Sequence, residues 1–137
     1  MPRRATAAAC ALGLLLGSCG SDDGDGDPPP AAGERGADLT VTVRPEGADG
    51  PVRTRRIRCA RLGAEPASCR RLAGLRPAQL EPVPRETICA QIYGGPAVAR
   101  VRGELRGKRV DASFERSNGC EIERWDRNRV LLGDAGR

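Results

Sequence analysis

The residues with the most chemistry to offer in this sequence are its six cysteines. Two lie near the N-terminus, Cys10 and Cys19. The others, Cys59, Cys69, Cys89 and Cys120, are spread through the rest of the chain. Thiols at such positions can be nucleophiles, metal ligands or halves of disulfides. A nucleophile needs a base, and the sequence has no histidine, which removes Ser-His-Asp and Cys-His systems. A Ser-Lys pair would have to use Lys108, the sole lysine, which falls in a hairpin turn. Glu104, Asp111, Glu115, Glu121 and Glu123 could supply a carboxylate pair, but they occupy turn and outer-face positions where charge is normally just solvated. Zinc is the rival use of the four later cysteines. Their spacing contains no C-x₂₋₄-C pair, and the missing histidine removes the other common ligand. No phosphate-cradling glycine loop follows a strand, because Tyr93-Gly94-Gly95-Pro96 precedes one. The expectation is a protein without catalytic residues, metal or cofactor.

Cys19 has a different chemistry. Arg3 and Arg4 precede an apolar run, Ala7 to Leu16, which is shorter than the roughly 20 residues needed to span a bilayer. The run ends in Leu16-Gly17-Ser18-Cys19, the pattern of a bacterial lipobox. Residues 1–18 are therefore expected to be a lipoprotein signal peptide, with Cys19 receiving the acyl chains that fix the protein to the cell membrane outside the cytoplasm. An ordinary secretory signal that merely contains Cys19 is the alternative. Residues 19–38 carry Asp22, Asp23, Asp25, Asp27, Glu34 and the Pro28-Pro29-Pro30 run; such a stretch cannot bury apolar surface and is expected to be a disordered tether.

Residues 39–137 make one domain. Its aromatic residues are Tyr93, Phe114 and Trp125, so the core must rest on Val, Leu, Ile and Ala, and covalent staples would help so small a fold. Outside the cytoplasm an even set of four cysteines reads as two disulfides; three pairings exist and spacing does not choose among them. The whole chain carries a net charge of +5; without Arg3, Arg4 and the five acids and one base of residues 20–37, the domain stands at +7. The cluster Arg53, Arg55, Arg56, Arg58, Arg61 lacks the interleaved aromatics that stack nucleic-acid bases, so no nucleic-acid partner is expected.

Periodicity supplies the elements. Leu39, Val41 and Val43 alternate with Thr40 and Thr42, which predicts a half-buried strand. Thr54 to Leu62 predicts a second, with Ile57 and Cys59 on one face. Ser68 is expected to cap a short helix carrying Leu72 and Leu75. Pro77, Pro82 and Pro84 keep the chain extended toward Cys89. Ala97 to Leu105 and Val110 to Phe114 form the clearest hairpin, turning at Arg106-Gly107. Residues 121–127 predict a helix packing Ile122 and Trp125 inward, and Val130-Leu131-Leu132 a final strand. The architecture expected is α+β: an antiparallel sheet with one or two short helices.

One stretch has a more specific look. Cys89-Ala90-Gln91-Ile92-Tyr93, Pro96, Gly103, Gly107-Lys108-Arg109-Val110, Phe114 and Ser117-Asn118-Gly119-Cys120-Glu121 follow one another in an order that resembles the subtilisin inhibitor-like family of secreted bacterial serine-protease inhibitors. Upstream, residues 39–43, Cys59, Cys69 and the following Leu-containing helix are similar to that family's first half. The resemblance implies a five-stranded antiparallel sheet with two helices, often dimerised through the sheet, and the pairings Cys59–Cys69 and Cys89–Cys120. It also implies a reactive-site loop. Ile88 would be P4, Cys89 P3, Ala90 P2, Gln91 P1, Ile92 P1′ and Tyr93 P2′, with Gln91–Ile92 the scissile bond. Such a loop enters a protease cleft as substrate does, and its pre-ordering avoids the entropy cost of fixing it there.

The sequence departs from the family pattern at three places. Ala90 stands where Pro is common, and Gln91 where Met, Lys or Arg is common. Gly94-Gly95 adds a residue before Pro96, expected to loosen the loop on that side. An uncharged Gln91 favours a subtilisin-like target with a roomy S1 pocket over a trypsin-like one. The alternative is a non-inhibitory envelope binding or assembly module on the same scaffold, using the Arg53–Arg61 strand against an acidic partner.

Overall fold

The computed structural model describes residues 36–134. The expected signal peptide, the expected lipidation site at Cys19 and most of the expected tether lie outside the described residues. Four strands form one sheet: β1 (Ala37–Arg44), β2 (Arg53–Cys59), β3 (Val98–Leu105) and β4 (Lys108–Phe114). Their order is β2-β1-β3-β4, with every neighbour antiparallel. The helices are α1 (Ala67–Arg71), α2 (Gly119–Arg127) and α3 (Arg129–Leu132), with a 3₁₀ turn at Pro77–Leu80. None of the described helices is long and apolar enough to cross a membrane.

The alternation of β1 sets the layer order. Ala37, Leu39, Val41 and Val43 are buried, and their partners across the ladders, Ile57 and Cys59 on one side and Ala99, Val101 and Leu105 on the other, are buried with them. Val110, Ala112 and Phe114 of β4 complete this inner face. Leu72, Leu75, Leu80, Trp125, Leu131 and Leu132 cover it from the helical side. A sheet with one covered face and short helices above it is the α+β arrangement expected. Disulfides Cys59–Cys69 and Cys89–Cys120 staple β2 to α1 and the segment before β3 to α2.

Five expectations need correction. The sheet has four strands among the described residues, not five. The final strand expected at Val130-Leu131-Leu132 is helical: the Leu131 and Leu132 amides donate to the Asn128 carbonyl at 2.8 and 3.0 Å. A short apolar run fits a strand or a buried helical turn equally well, and here adjacent Leu131 and Leu132 are both buried while Val130 is exposed, which a strand's alternation would not allow. Ser68 does not cap α1. Pro66 holds the N-cap position, and its carbonyl receives the Cys69 and Arg70 amides at 2.8 and 3.2 Å, leaving Ser68 inside the helix. Strand β2 also stops at Cys59, after which the chain bends and turns toward α1, and β1 begins at Ala37, so Ala37 and Asp38 belong to the sheet and not to the tether.

Arg124 shows how α2 is seated. It is only 3% exposed. Its Nη1 donates to the Ser113 carbonyl at 2.8 Å and to Glu121 at 3.0 Å, its Nη2 to the Leu80 carbonyl at 2.7 Å, and its guanidinium lies 4.1 Å from the Phe114 ring centroid. A buried guanidinium is tolerable only when so partnered, and these bonds join α2, β4 and the 3₁₀ turn.

The outer face of the sheet is polar. Arg56 donates through Nε and Nη2 to the two carboxylate oxygens of Asp38 at 3.0 and 2.9 Å; Arg100 does the same to Asp111 at 2.8 Å for both. These bonds hold both carboxyl groups below their usual range. A carboxylate whose folded pKa is depressed stabilises the fold above its unfolded value, and the contribution disappears as pH falls through the folded value. The Asp38→Asn, Asp111→Asn double variant is therefore expected to lose less stability than the parent below about pH 4. Urea midpoints measured against pH check this; parallel curves would mean that neither pair contributes.

Candidate functional site

The segment from Ile88 to Gly94 leaves the body of the domain between the 3₁₀ turn and β3. A turn closed by the Thr87 amide on the Pro84 carbonyl, at 3.0 Å, delivers the chain to Ile88. Beyond it the side chains face solvent: Ile88 is 98% exposed and Tyr93 72%, and Ile92 is more than half exposed. Large apolar side chains are normally withdrawn from water, so three of them together on one short loop mark a surface made for contact.

The backbone beneath them is tied down. On the N-terminal side Cys89 is bonded to Cys120, next to the start of α2, with Cα atoms 5.4 Å apart. Asn118 caps that helix, its Oδ1 accepting the Glu121 amide at 3.1 Å. The Gly119 amide, one of the helix's unpaired first donors, is thereby free to reach the Ala90 carbonyl at 2.8 Å. A Cβ on Gly119 would stand 3.2 Å from the Ala90 Cβ, so this close approach favours glycine. The Ile92 amide also bonds the Ala90 carbonyl, at 2.9 Å, giving a γ-turn centred on Gln91. Gln91 itself is exposed, and its Nε2 rests on the Cys89 carbonyl at 3.0 Å.

On the C-terminal side the clamp is Arg116. The Gly94 amide donates to the Arg116 carbonyl at 2.8 Å, and Arg116 Nε donates back to the Gly94 carbonyl at 2.7 Å. The guanidinium sits 5.8 Å from the Trp125 ring centroid and 3.7 Å from Asp126. Gly94 has no room for a side chain: a Cβ there would fall 2.6 Å from Ile122 Cγ1. The loosening expected of Gly94-Gly95 is not seen at Gly94, which is held by a reciprocal pair of bonds.

The structure thus gathers Ile88, Cys89, Ala90, Gln91, Ile92 and Tyr93 on one exposed loop, with Cys120 and Gly119 beneath its first half and Arg116 beneath its second. Sequence reasoning missed Arg116, since an isolated arginine after a strand looks like any solvated charge. Asn118-Gly119 has the composition of a plain turn, but here the pair opens α2 and supplies the donor for Ala90. A cavity of about 380 Å³ beside α2 is lined by Arg44, Arg100, Glu115, Glu121 and Arg124. These charges are already bonded within the domain, so the exposed loop remains the stronger candidate.

No protein-family model, curated protein or solved structure matches the chain.

Proposed function

We propose that this protein is a non-catalytic inhibitor of subtilisin-like serine proteases, exported and held at the membrane through a lipid on Cys19, with Gln91–Ile92 as the bond offered to the enzyme. The observation that carries this reading is the loop's construction: Ile88, Ala90, Gln91, Ile92 and Tyr93 exposed, on a backbone fixed from one side by Cys120 and Gly119 and from the other by Arg116. A peptide so ordered binds a cleft without the loss of freedom that an unstructured substrate suffers. If the bond is cut, the disulfide and the Gly94–Arg116 pair keep both new ends in place, so resynthesis competes with release. The order of residues from Cys89 to Glu121, which resembles the subtilisin inhibitor-like family, supports the same reading. A dimer, if it forms as that resemblance implies, would use the polar outer face and leave the loop free.

The test is a titration of the exported chain against subtilisin and a trypsin-like protease, with mass spectrometry of the products. Stoichiometric inhibition of subtilisin with slow, partial cleavage between Gln91 and Ile92 is expected. Absence of inhibition, or fast degradation at other bonds, would leave the envelope binding module as the better account. The Gln91→Lys variant should bind trypsin-like enzymes more tightly by on the order of 30-fold, because a lysine would pair with the buried carboxylate of their S1 pocket. Unaltered selectivity would remove Gln91 from the P1 position.

A further inference from the structure

Strand β2 is the edge of the sheet: it pairs with β1 alone, and its other side is open among the described residues. Between this edge and α1 runs a cleft of about 210 Å³, lined by Arg55, Arg56, Arg58, Arg71 and Ser68, with half-exposed Val130 at its end. No carboxylate lines it. Arg56 is taken by Asp38 on the outer face, and Arg55 donates to the Leu131 carbonyl. Arg58 lies 3.8 Å from the same Asp38, already shared with Arg56. The Arg71 side chain has no ion-pair or hydrogen-bond partner among the described residues, and neither have the side chains of Arg53, the first residue of β2, and Arg61, two residues past its last. Arginines on an open edge deter pairing with another chain. Beyond the charge that Asp38 balances, Arg53, Arg61 and Arg71 add positive charge that no described carboxylate pairs.

The balancing charge is present in the same chain. Asp22-Asp23-Gly24-Asp25-Gly26-Asp27 places four carboxylates in six residues, and no other stretch of the sequence is as acidic. The chain enters the domain at Gly36, which lies against the Cys59 and Ala60 carbonyls so closely that a Cβ there would overlap them. That is the α1 end of β2, the mouth of the cleft. From Gly36 back to Asp27 the chain can reach about 30 Å when extended, more than the roughly 23 Å length of β2. We infer that the acidic run Asp22–Asp27 docks on the arginine cleft between β2 and α1, pairing with Arg58, Arg71, Arg53 and Arg61. Each exposed pair is weak by itself. Covalent connection raises the local concentration of the run to the millimolar range, so weak pairs add up. The docked run covers the open edge and shortens the span between Cys19 and the domain. It leaves the loop at Gln91 untouched, so this inference stands or falls independently of protease inhibition.

The experiment compares the exported chain, made soluble by Cys19→Ser, with the same chain carrying Asp22→Asn, Asp23→Asn, Asp25→Asn and Asp27→Asn. In low salt, about 20 mM, amide resonances of Arg53–Cys59 and Ser68–Leu72 should differ between the two, and the difference should vanish near 0.5 M salt. Adding Arg58→Ser and Arg71→Ser to each should remove it as well. A short poly-glutamate probe should bind the asparagine variant about tenfold more tightly than the parent, because the competing run is gone. Superimposable spectra at low salt, or differences centred on β4, would overturn the inference. So would equal binding of poly-glutamate, or of phosphatidylglycerol vesicles, by the two chains, since the cleft would then be open to outside anions in both.

Discussion

Replacing Cys89 and Cys120 together by serine is expected to lower stability by about 3.7 kcal/mol and to turn the proposed inhibitor into a substrate. The first figure follows from the loop that the bond closes, a sequence separation of 31, whose freedom is restored to the unfolded chain when the link is removed. The second follows from position. Cys89 lies two residues before Gln91, so the disulfide is what keeps the N-terminal half of the loop against α2. Without it the Ala90–Gly119 hydrogen bond, worth about 1 kcal/mol, would have to hold that side alone. Cleavage at Gln91–Ile92 would then release a free end, and resynthesis would stop. Urea denaturation gives the first number and a time course of cleavage products the second. The Cys59→Ser, Cys69→Ser variant is the control. Its shorter loop predicts a loss of about 2.8 kcal/mol, but that bond joins β2 to α1, away from the loop, so inhibition at a temperature where the variant is folded should be unchanged. Durable inhibition by the Cys89, Cys120 variant would mean that the loop is ordered by something other than this link.

Arg116→Ala should damage the other half of the loop. The guanidinium is mostly buried, at 11% side-chain exposure, and donates to Gly94 while lying over Trp125. Hydrogen bonds from charged groups contribute about 1.5–3 kcal/mol and stacking on tryptophan about 1 kcal/mol, so a loss of about 2–4 kcal/mol is expected. The reciprocal bond from the Gly94 amide to the Arg116 main chain survives, so the loop should loosen without detaching. Inhibition of subtilisin should weaken by on the order of 30-fold, as expected when about 2 kcal/mol of pre-ordering is lost. Trp125 is the sole tryptophan, so its fluorescence reports directly on the loss of the stacked cation. Arg116→Lys should not restore function, because an ammonium lacks both the planar face and the fixed Nε donor. Unchanged inhibition in a fully folded Arg116→Ala variant would show that the Gly94 anchor has no bearing on binding.

Much of the sheet was legible beforehand, for a reason that the strands themselves display. In β1 inward residues are apolar and outward ones polar, and the β3–β4 hairpin keeps that pattern except at Val98, Gly103 and Lys108, so the period of two identifies the strand and its buried face together. Strand β2 was legible only at Ile57 and Cys59, since the rest of it is an edge whose side chains remain exposed. The chain end misled because Val130-Leu131-Leu132 has no alternation to read, and what made it helical was the Asn128 carbonyl collecting the Leu131 and Leu132 amides.

The candidate site divides in the same way. By itself the sequence determined that four cysteines fall within residues 39–137, that it has no histidine to support catalysis, and that Ile88, Gln91, Ile92 and Tyr93 lie on a segment bounded by Pro84 and Pro96. These follow from composition and local backbone chemistry, which depend on near neighbours. What only the tertiary structure decided is how that segment is held. Arg116 meets Gly94 across 22 residues of sequence, and Arg124 meets the Leu80 carbonyl across 44. Whether an arginine is a solvated surface charge or a buried clamp depends on which carbonyl groups the fold brings within 3 Å of it. That is fixed by how α2, β4 and the 3₁₀ turn pack together, which the arginine's sequence neighbours do not reveal.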